Sequence, residues 1–252
     1  MLIDLHTLPI RAVDCLKICY KLRERGERIT TSTIRQRLER LEKNGKLSDA
    51  SVTQLFKWLA VNDLVRHTPY HGVELTQQGM LVSAELVRHH RLLELYLVNQ
   101  MGFPIERADA EAERLEHAIS EEFEDRMDAL LGYPTEDPHG DPIPSRSGAV
   151  VEHAIESLES LPVGEERVVR RISDDDADRL RYLAELQLVP GTRVTVQQRA
   201  PYGGPLTVRV HGSSGKAHEH AIGPELATTI WVSKIPLGEQ HEHVQHRIRS
   251  GT

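Results

Sequence analysis

The apolar positions of the first 75 residues recur at helical spacing and then alternate. Three helical patterns run through residues 8–25, 31–41 and 49–62, and each ends close to a glycine or an asparagine. Residues 64–67 and 73–75 then alternate on either side of a turn, as in a two-stranded hairpin. Three helices followed by such a wing are typical of a winged helix-turn-helix, which places a helix in a DNA groove.

Long apolar faces dominate the middle of the chain. Helices are predicted over residues 76–100, 107–117 and 120–132, with more apolar surface than three helices can cover among themselves. Antiparallel helices of this kind commonly form a dimerisation layer. Residues 133–144 contain four of the thirteen prolines, so regular structure is not expected there. The sequence therefore predicts a helical domain over residues 76–144.

The last third of the chain changes to a period of two. Residues 194–196 and 206–210 alternate on either side of a hairpin turn, which predicts a small SH3-like β-barrel over residues 163–236. Residues 145–162 are expected to form a linker with room for a short helix, and the polar tail 237–252 is expected to be disordered. The predicted fold is thus mainly α with small β parts, in the order winged helix-turn-helix (1–75), helical domain and barrel.

The net charge of −7 is unevenly distributed along the chain. Residues 1–75 carry 13 Lys and Arg against 9 Asp and Glu, whereas residues 76–142 carry 5 against 15. A basic head beside an acidic middle suits phosphate contact at one end and cation binding at the other, with chance partition of surface charge as the alternative. Because no apolar run reaches roughly 18 residues, no signal-peptide pattern occurs and only two cysteines are present, we expect a cytoplasmic protein without a disulfide scaffold.

The acidic middle contains two sets of metal-binding side chains at helical spacing. Glu113, Glu116 and His117 stand at positions i, i+3 and i+4, and His90 and Glu94 stand at i and i+4. Side chains at this spacing project from one face of a helix, within reach of a single cation. A solvated acidic face with a chance arrangement of these residues is the alternative.

A carboxylate from the head would complete such a site, and Asp14 is the best candidate. Without metal, Asp14, Glu113 and Glu116 would repel one another, by roughly 4 kcal/mol for two charges ~4 Å apart at a dielectric constant of ~20. A divalent ion would reverse this energy and tie the first helix to the acidic middle. Carboxylate and imidazole donors without thiolate favour Mn²⁺ or Fe²⁺, and Cys15 and Cys19 are interpreted as small buried hydrophobes.

Polar side chains of the head offer contacts to DNA. A Gln on the third helix can bond adenine in a groove, whereas Ser, Thr and Lys more often hold phosphate. Arginines of the second helix and histidines of the wing are further candidates for phosphate contact. The candidates are Arg35, Arg37, Ser51, Thr53, Gln54, Lys57, His67 and His71.

Three motifs together resemble the diphtheria-toxin-repressor family of metal-dependent regulators. They are residues 90–94 (HRLLE), 113–117 (ERLEH) and 139–144 (HGDPIP). The resemblance continues through residues 188–192 (LVPGT) and so covers the head, the middle and the SH3-like domain. The family implies homodimers that bind palindromic operators in double-stranded DNA when loaded with Fe²⁺ or Mn²⁺, with no small-molecule substrate.

Carried over by position, the resemblance implies a primary metal site of Asp14, Glu113, Glu116 and His117. Asp14 and Glu113 match the manganese-responsive branch, because iron-responsive members have Met and Cys at these two positions. Lys17 departs from the pattern, since the short two-domain form of the manganese branch uses a Glu there.

The resemblance also implies an ancillary metal site. His90 and Glu94 match its ligands, and Asp109 takes the place of its usual second His. The third domain normally adds ligands, and Asp176 is the carboxylate that falls nearest by position. An acidic residue at this place also stabilises the start of the helix predicted after it, through the helix dipole.

We therefore predict a manganese-activated transcriptional regulator, in the simplest case a repressor of metal-uptake genes, in which metal orders the DNA-binding heads of a homodimer. An Fe²⁺-dependent regulator of the same family is one alternative. A metalloenzyme that uses the carboxylate and histidine cluster is an alternative from another class, but the sequence offers no further polar constellation to position a substrate.

Overall fold

The computed structural model describes residues 7–41, 46–68, 72–174, 176–211 and 217–234. The chain divides into two compact units, Met1–Glu152 and His153–Thr252, which are described separately. The candidate His71, the wing turn around it and the tail 237–252 lie outside the described residues. No helix of the described segments has both the length and the apolar content that a membrane crossing requires.

The first unit opens with a three-helix head and a wing. Helices α1 (Ile10–Glu24), α2 (Thr31–Leu41) and α3 (Asp49–Val61) are followed by strands β1 (Val65–Thr68) and β2 (Gly72–Leu75). The two strands pair antiparallel. This order of elements confirms the predicted winged helix-turn-helix.

One apolar core holds the head together and extends into the helix that follows it. Leu16 of α1, Phe56 of α3 and Leu86 of the next helix are almost completely buried in this core. Burying one such side chain contributes roughly 1.5–3 kcal/mol. Cys15 and Cys19 are free thiols that are fully buried in the same core, which confirms their interpretation as small hydrophobes.

A long central helix organises the rest of the first unit. Helix α4 (Gln77–Asn99) is buried along most of its length and packs against α1, α5 (Ile105–Leu115) and α6 (Glu121–Leu130). Residues 133–144 contain no helix and no regular strand, as predicted, and fold into turns around an isolated bridge between Glu136 and Pro142.

Helix α5 ends two residues earlier than the sequence predicts. Its last residue is Leu115, and Glu116 is the C-cap, with φ −56° and ψ −30°. This backbone is still right-handed helical, so the side chain of Glu116 keeps its place relative to Glu113. His117 follows in the turn after the helix.

The second unit is a small antiparallel sheet with two short helices. It contains β3 (Glu156–Ser157), a 3₁₀ turn (Leu158–Ser160), β4 (Glu166–Ile172), α7 (Ala177–Glu185), β5 (Arg193–Arg199), β6 (Leu206–His211), β7 (Ala217–Ile222), α8 (Pro224–Ala227) and β8 (Ile230–Ser233). The strand order is β3-β8-β4-β5-β6-β7. The six strands enclose a core of Val, Leu and Ile, which confirms the SH3-like domain. Strand β3 and the 3₁₀ turn lie within residues 145–162, which the sequence predicts to be a linker. The 3₁₀ turn is found where the sequence has room for a short helix.

Candidate metal centre

The candidate metal centre begins where α1 of the head meets the end of α5. Asp14, Glu116 and His117 offer ligand atoms that all lie within 4.8 Å of one another. His117 Nε2 lies 2.9 Å from Asp14 Oδ1 and 3.5 Å from Glu116 Oε1. The structure therefore brings three of the four expected primary ligands together, and we call this group the Asp14 half of the centre.

Glu116 also faces a second group, made with His90 and Glu113. His90 Nδ1 lies 2.6 Å from Glu116 Oε2 and 3.9 Å from Glu113 Oε2. The ligand atoms of these three residues also lie within 4.8 Å of one another, and we call them the His90 half. In the described part of the chain, Glu113 thus groups with His90 rather than with Asp14. The two halves share Glu116, which is only 1% exposed.

Lys17 of α1 supplies a cation inside the centre. Its ammonium group contacts Glu113 Oε2 and lies 2.6 Å from Glu116 Oε1. Lys17 is 3% exposed, so this is a buried ion pair. Buried carboxylates require a counter-charge of this kind, because an unpaired charge away from water is costly.

The neighbouring charges and hydrogen bonds keep the Glu116 carboxylate ionised and favour the protonated form of the His117 imidazole. Burial alone would raise the pKa of Glu116, but the positive charges of His90 and Lys17 and their hydrogen bonds lower it to about 2. The hydrogen bond that His117 donates to Asp14 raises the pKa of His117 above its usual value. The imidazole therefore stays protonated to a higher pH than a free histidine.

The second ring nitrogen of His90 leads to the expected ancillary residues. His90 Nε2 lies 3.2 Å from Asp109 Oδ1 and 3.6 Å from Glu94 Oε1. The three residues form a further group with metal-binding geometry. Asp176 belongs to the second unit, where its carboxylate accepts hydrogen bonds from two backbone N–H groups at the start of α7. Those bonds fit the helix-capping interpretation, and a role of Asp176 as ligand stays a prediction.

Two further donors, absent from the predicted ligand set, approach Glu94 from the irregular segment 133–144. His139 Nδ1 lies 3.7 Å from Glu94 Oε1 and 3.9 Å from Asp137 Oδ1. All three residues are at most 6% exposed, and Glu94 Oε1 accepts no hydrogen bond within the described residues. Burial and the neighbouring Glu94 raise the pKa of Asp137 to about 8. The ligand atoms of Glu94, Asp137 and His139 lie within 4.8 Å of one another, and the guanidinium of Arg91 stands 3.6 Å from the other carboxylate oxygen of Asp137. Only the HGDPIP motif, in which His139 is the first residue, marks this segment in the sequence.

The donor atoms fit a hard divalent metal ion. Both halves consist of carboxylate oxygens and imidazole nitrogens, which suit Mn²⁺ and Fe²⁺. A cavity of about 200 Å³, lined by the start of α1 and by α4, reaches Glu116 and His117. The residues that would hold the ion are therefore Asp14, Glu116 and His117, with Glu113 beside them.

Helix α3 presents most of its DNA-binding candidates to solvent. Ser51, Gln54 and Lys57 are exposed, and Thr53 is partly exposed. The Ser51 N–H bonds the side chain of Ser48, which caps the helix, and the Thr53 hydroxyl donates to a backbone carbonyl one turn earlier. Gln54 and Lys57 are therefore the side chains best placed to reach outward from this helix.

The remaining candidates of the head have partners within it. Arg35 forms an ion pair of 2.8 Å with the aspartate at the start of α3, and Arg37 forms one of 3.8 Å with Glu27. The ring of His67 in the wing packs against Phe56, with the ring centroids 5.6 Å apart. DNA contact by these residues stays a prediction.

Two family models match the chain in succession. The metal binding and dimerisation domain of iron-dependent repressors matches residues 76–145, and the FeoA domain matches residues 156–234. The first match covers all the candidate ligands except Asp14 of the head and Asp176. The second match covers the six-stranded sheet.

Along most of its length, the chain is also similar to proteins with known roles. The iron-dependent repressor IdeR of Mycobacterium tuberculosis (strain ATCC 25618 / H37Rv) is 32% identical over 235 residues, which are 87% of this chain and 95% of that protein. A solved manganese-dependent transcriptional repressor in complex with manganese is 33% identical, with a TM-score of 0.76 over 89% of this chain and 100% of that chain. ScaR with bound Cd²⁺ is 30% identical, with a TM-score of 0.69 over 89% and 99% of the two chains.

Proposed function

This chain belongs to the diphtheria-toxin-repressor family of metal-dependent transcriptional regulators, and on that premise we propose that it is a manganese-activated repressor of metal-uptake genes. It acts in the cytoplasm as a homodimer on a palindromic DNA operator. The chain is a metal-responsive repressor and not an enzyme, so the metalloenzyme alternative is abandoned.

The observation that carries this proposal is the meeting of Asp14 with Glu116 and His117. Asp14 belongs to α1 of the head, whereas Glu116 and His117 follow α5 of the helical domain. A divalent ion bound here supplies a double positive charge that attracts carboxylates from both domains. Because α1 and α3 share one apolar core, the position of Asp14 also fixes the position of the DNA-reading helix.

The donor set supports Mn²⁺ as the activating ion. Asp14, Glu113, Glu116 and His117 offer oxygen and nitrogen without sulfur, and the similarity to a manganese-bound repressor points in the same direction. The similarity to IdeR supports Fe²⁺ as the alternative. Anaerobic titration of each ion, with DNA binding as the readout, separates the two. Activation by Fe²⁺ at a lower free concentration than Mn²⁺ would replace the proposed effector.

Exposed apolar side chains support a homodimer. Met101, Leu115, Phe123, Leu130 and Tyr133 of the helical domain are between 37% and 70% exposed. Large apolar side chains gathered on one domain commonly mark a protein interface. A two-fold dimer presents two α3 helices, which suits a palindrome with half-sites about one turn of DNA apart.

A mobility-shift titration tests the proposed function. A palindromic duplex is first selected from a random library in the presence of Mn²⁺. We expect the full chain to retain this duplex when Mn²⁺ is present, to release it on addition of EDTA, and to respond far more weakly to the same concentration of Mg²⁺. Equal retention with and without Mn²⁺ would contradict the proposal.

A further inference from the structure

The His90 half of the metal centre already contains a positive charge. The Lys17 ammonium contacts Glu113 Oε2 and lies 2.6 Å from Glu116 Oε1, while the other oxygen of Glu116 lies 2.6 Å from His90 Nδ1. Lys17 is 3% exposed and Glu116 is 1% exposed, so water does not screen the contact between them, whereas the side chain of Glu113 is 21% exposed. Both carboxylates of this half are thus engaged by one ammonium group.

The Asp14 half has a different arrangement. There the imidazole of His117 stands 2.9 Å from Asp14 Oδ1 and 3.5 Å from Glu116 Oε1, the oxygen that this half shares with Lys17. The side chain of His117 is 24% exposed and lines the cavity that opens onto the centre. An imidazole can lose its proton and then bind a metal ion through the freed lone pair of its nitrogen. An ammonium group has no lone pair and cannot be a metal ligand.

We propose that Lys17 is a fixed cation of the centre, which occupies the place of a second metal ion in the His90 half and limits the centre to one divalent ion in the Asp14 half. This inference rests on the proposed function, because it takes the Asp14 half as the site of the activating ion. Two groups of donors that share a carboxylate would otherwise suit a pair of ions about 3.5–4 Å apart. A second divalent ion would have to displace a buried ammonium from both of its carboxylates.

Counting Mn²⁺ ions tests the inference if the neighbouring groups are first disabled. Glu94 belongs to both other groups, with His90 and Asp109 and with Asp137 and His139. The full chain with Glu94→Gln therefore leaves the shared centre as the only group of three or more donors in the described segments. Mn²⁺ bound to this variant is counted by equilibrium dialysis, and its electron paramagnetic resonance spectrum shows whether two ions are coupled through a shared carboxylate.

We expect the Glu94→Gln chain to bind one Mn²⁺ per protomer, with the spectrum of an isolated ion. Adding Lys17→Glu removes the ammonium and supplies a carboxylate, so this double variant is expected to bind two coupled Mn²⁺ ions. Lys46→Glu is the matched control, because it makes the same charge change at an exposed position of the head. With Glu94→Gln and Lys46→Glu together, the count is expected to stay at one.

The outcomes separate the inference from the proposed function. Two coupled ions in the Glu94→Gln chain would overturn the role of Lys17 and leave the proposed function standing, whereas no bound ion would overturn both. A folded Lys17→Glu variant that still binds one ion would also overturn the inference. If circular dichroism shows that Lys17→Glu does not fold, Lys17→Met takes its place with the same expected count of two, and a count of one overturns the inference.

Discussion

Glu116 and His117 are neighbours in the sequence, but they have different surroundings. Glu116 is 1% exposed and lies 2.6 Å from both Lys17 and His90. The side chain of His117 is 24% exposed and lies 2.9 Å from Asp14. Removing the carboxylate takes one partner away from a buried ammonium and from a buried imidazole, whereas removing the imidazole leaves an aspartate that water can reach. Both changes remove a proposed metal ligand, but only the first disturbs the core.

Substitution by alanine is therefore expected to separate metal binding from stability. Glu116→Ala should lower the free energy of unfolding of the metal-free protein by roughly 3–5 kcal/mol, the cost of breaking a buried ion pair. His117→Ala should lower it by less than about 1 kcal/mol, as for a pair near the surface. Urea unfolding followed by circular dichroism measures both. Equal effects of the two substitutions would contradict the burial of the centre.

The affinity for Mn²⁺ is expected to fall as the pH decreases. The hydrogen bond with Asp14 raises the pKa of His117, and a protonated imidazole cannot bind a metal ion. Below that raised pKa, binding one ion releases one proton from His117, so the affinity should fall about tenfold per pH unit. Mn²⁺ titrations between pH 6 and pH 8 measure this slope. An affinity independent of pH in this range would show that His117 does not bind the ion.

At the scale of elements, periodicity predicts the helices well and their ends less well. The apolar spacing places α1 to α4 within two residues of their observed bounds. The predicted end of α5 is two residues late, because Glu116 is the C-cap, with helical angles and an N–H bond to Ala112, and His117 already lies in the turn that follows. Strand β3 has only two residues and pairs with β8, more than seventy residues away in the chain. A strand of two residues has no detectable period, so it is not predictable from the sequence pattern.

The start of α4 packs against the end of the head without room for a side chain. A Cβ atom on Gly79 would lie 1.8 Å from the backbone oxygen of Leu64. Gly79→Ala is therefore expected to shift α4 and to lower the free energy of unfolding by about 1–3 kcal/mol or more. Gly223→Ala is the control, because no atom lies within 4 Å of its added Cβ. Equal melting temperatures for the two variants would contradict this close approach.

A second contact between α1 and α4 involves neither half of the candidate metal centre. The guanidinium of Arg91 forms hydrogen bonds of 3.0 Å and 2.8 Å to the two carboxylate oxygens of Glu24. It also donates to the carbonyl of Pro142 at 2.6 Å, and its Nε lies 3.6 Å from Asp137. Arg91 is 2% exposed, so it depends on these partners for its charge. The head is therefore held to α4 even when no metal is bound.

Glu24→Gln is expected to weaken this metal-independent contact. The change removes the negative charge that faces a buried guanidinium, and hydrogen bonds to charged groups contribute about 1.5–3 kcal/mol each. We expect a loss of stability of that order in urea unfolding. Glu27→Gln makes the same change at a surface pair, 3.8 Å from Arg37, and should cost less than about 1 kcal/mol. Similar losses of stability for the two variants would contradict a buried ion pair between Arg91 and Glu24.

At the scale of the whole molecule, the sequence predicts which residues form the candidate metal centre better than it predicts how they group in space. Helical spacing indicates Glu113, Glu116 and His117, the need for a further carboxylate points to Asp14 of the head, and the family resemblance implies the same four residues. The proposed difference between the two halves depends on Lys17, whose contacts with Glu113 and Glu116 join residues almost a hundred positions apart. No local period reports such a contact, because it arises only when α1 packs against the end of α5. The approach of the 133–144 segment to Glu94 is hidden from the sequence pattern for the same reason.

The bridge between Asp14 of the head and the helical domain is tested most directly by DNA binding of an Asp14→Asn variant. Fluorescence anisotropy of the selected palindrome is followed as Mn²⁺ is added to the wild-type chain, to Asp14→Asn and to Asp178→Asn, which makes the same change at an exposed pair in the second unit. The wild-type chain and Asp178→Asn are expected to bind the duplex at the same Mn²⁺ concentration, and Asp14→Asn to remain unresponsive at that concentration. An Asp14→Asn chain that responds to Mn²⁺ like the wild type would contradict the proposed bridge.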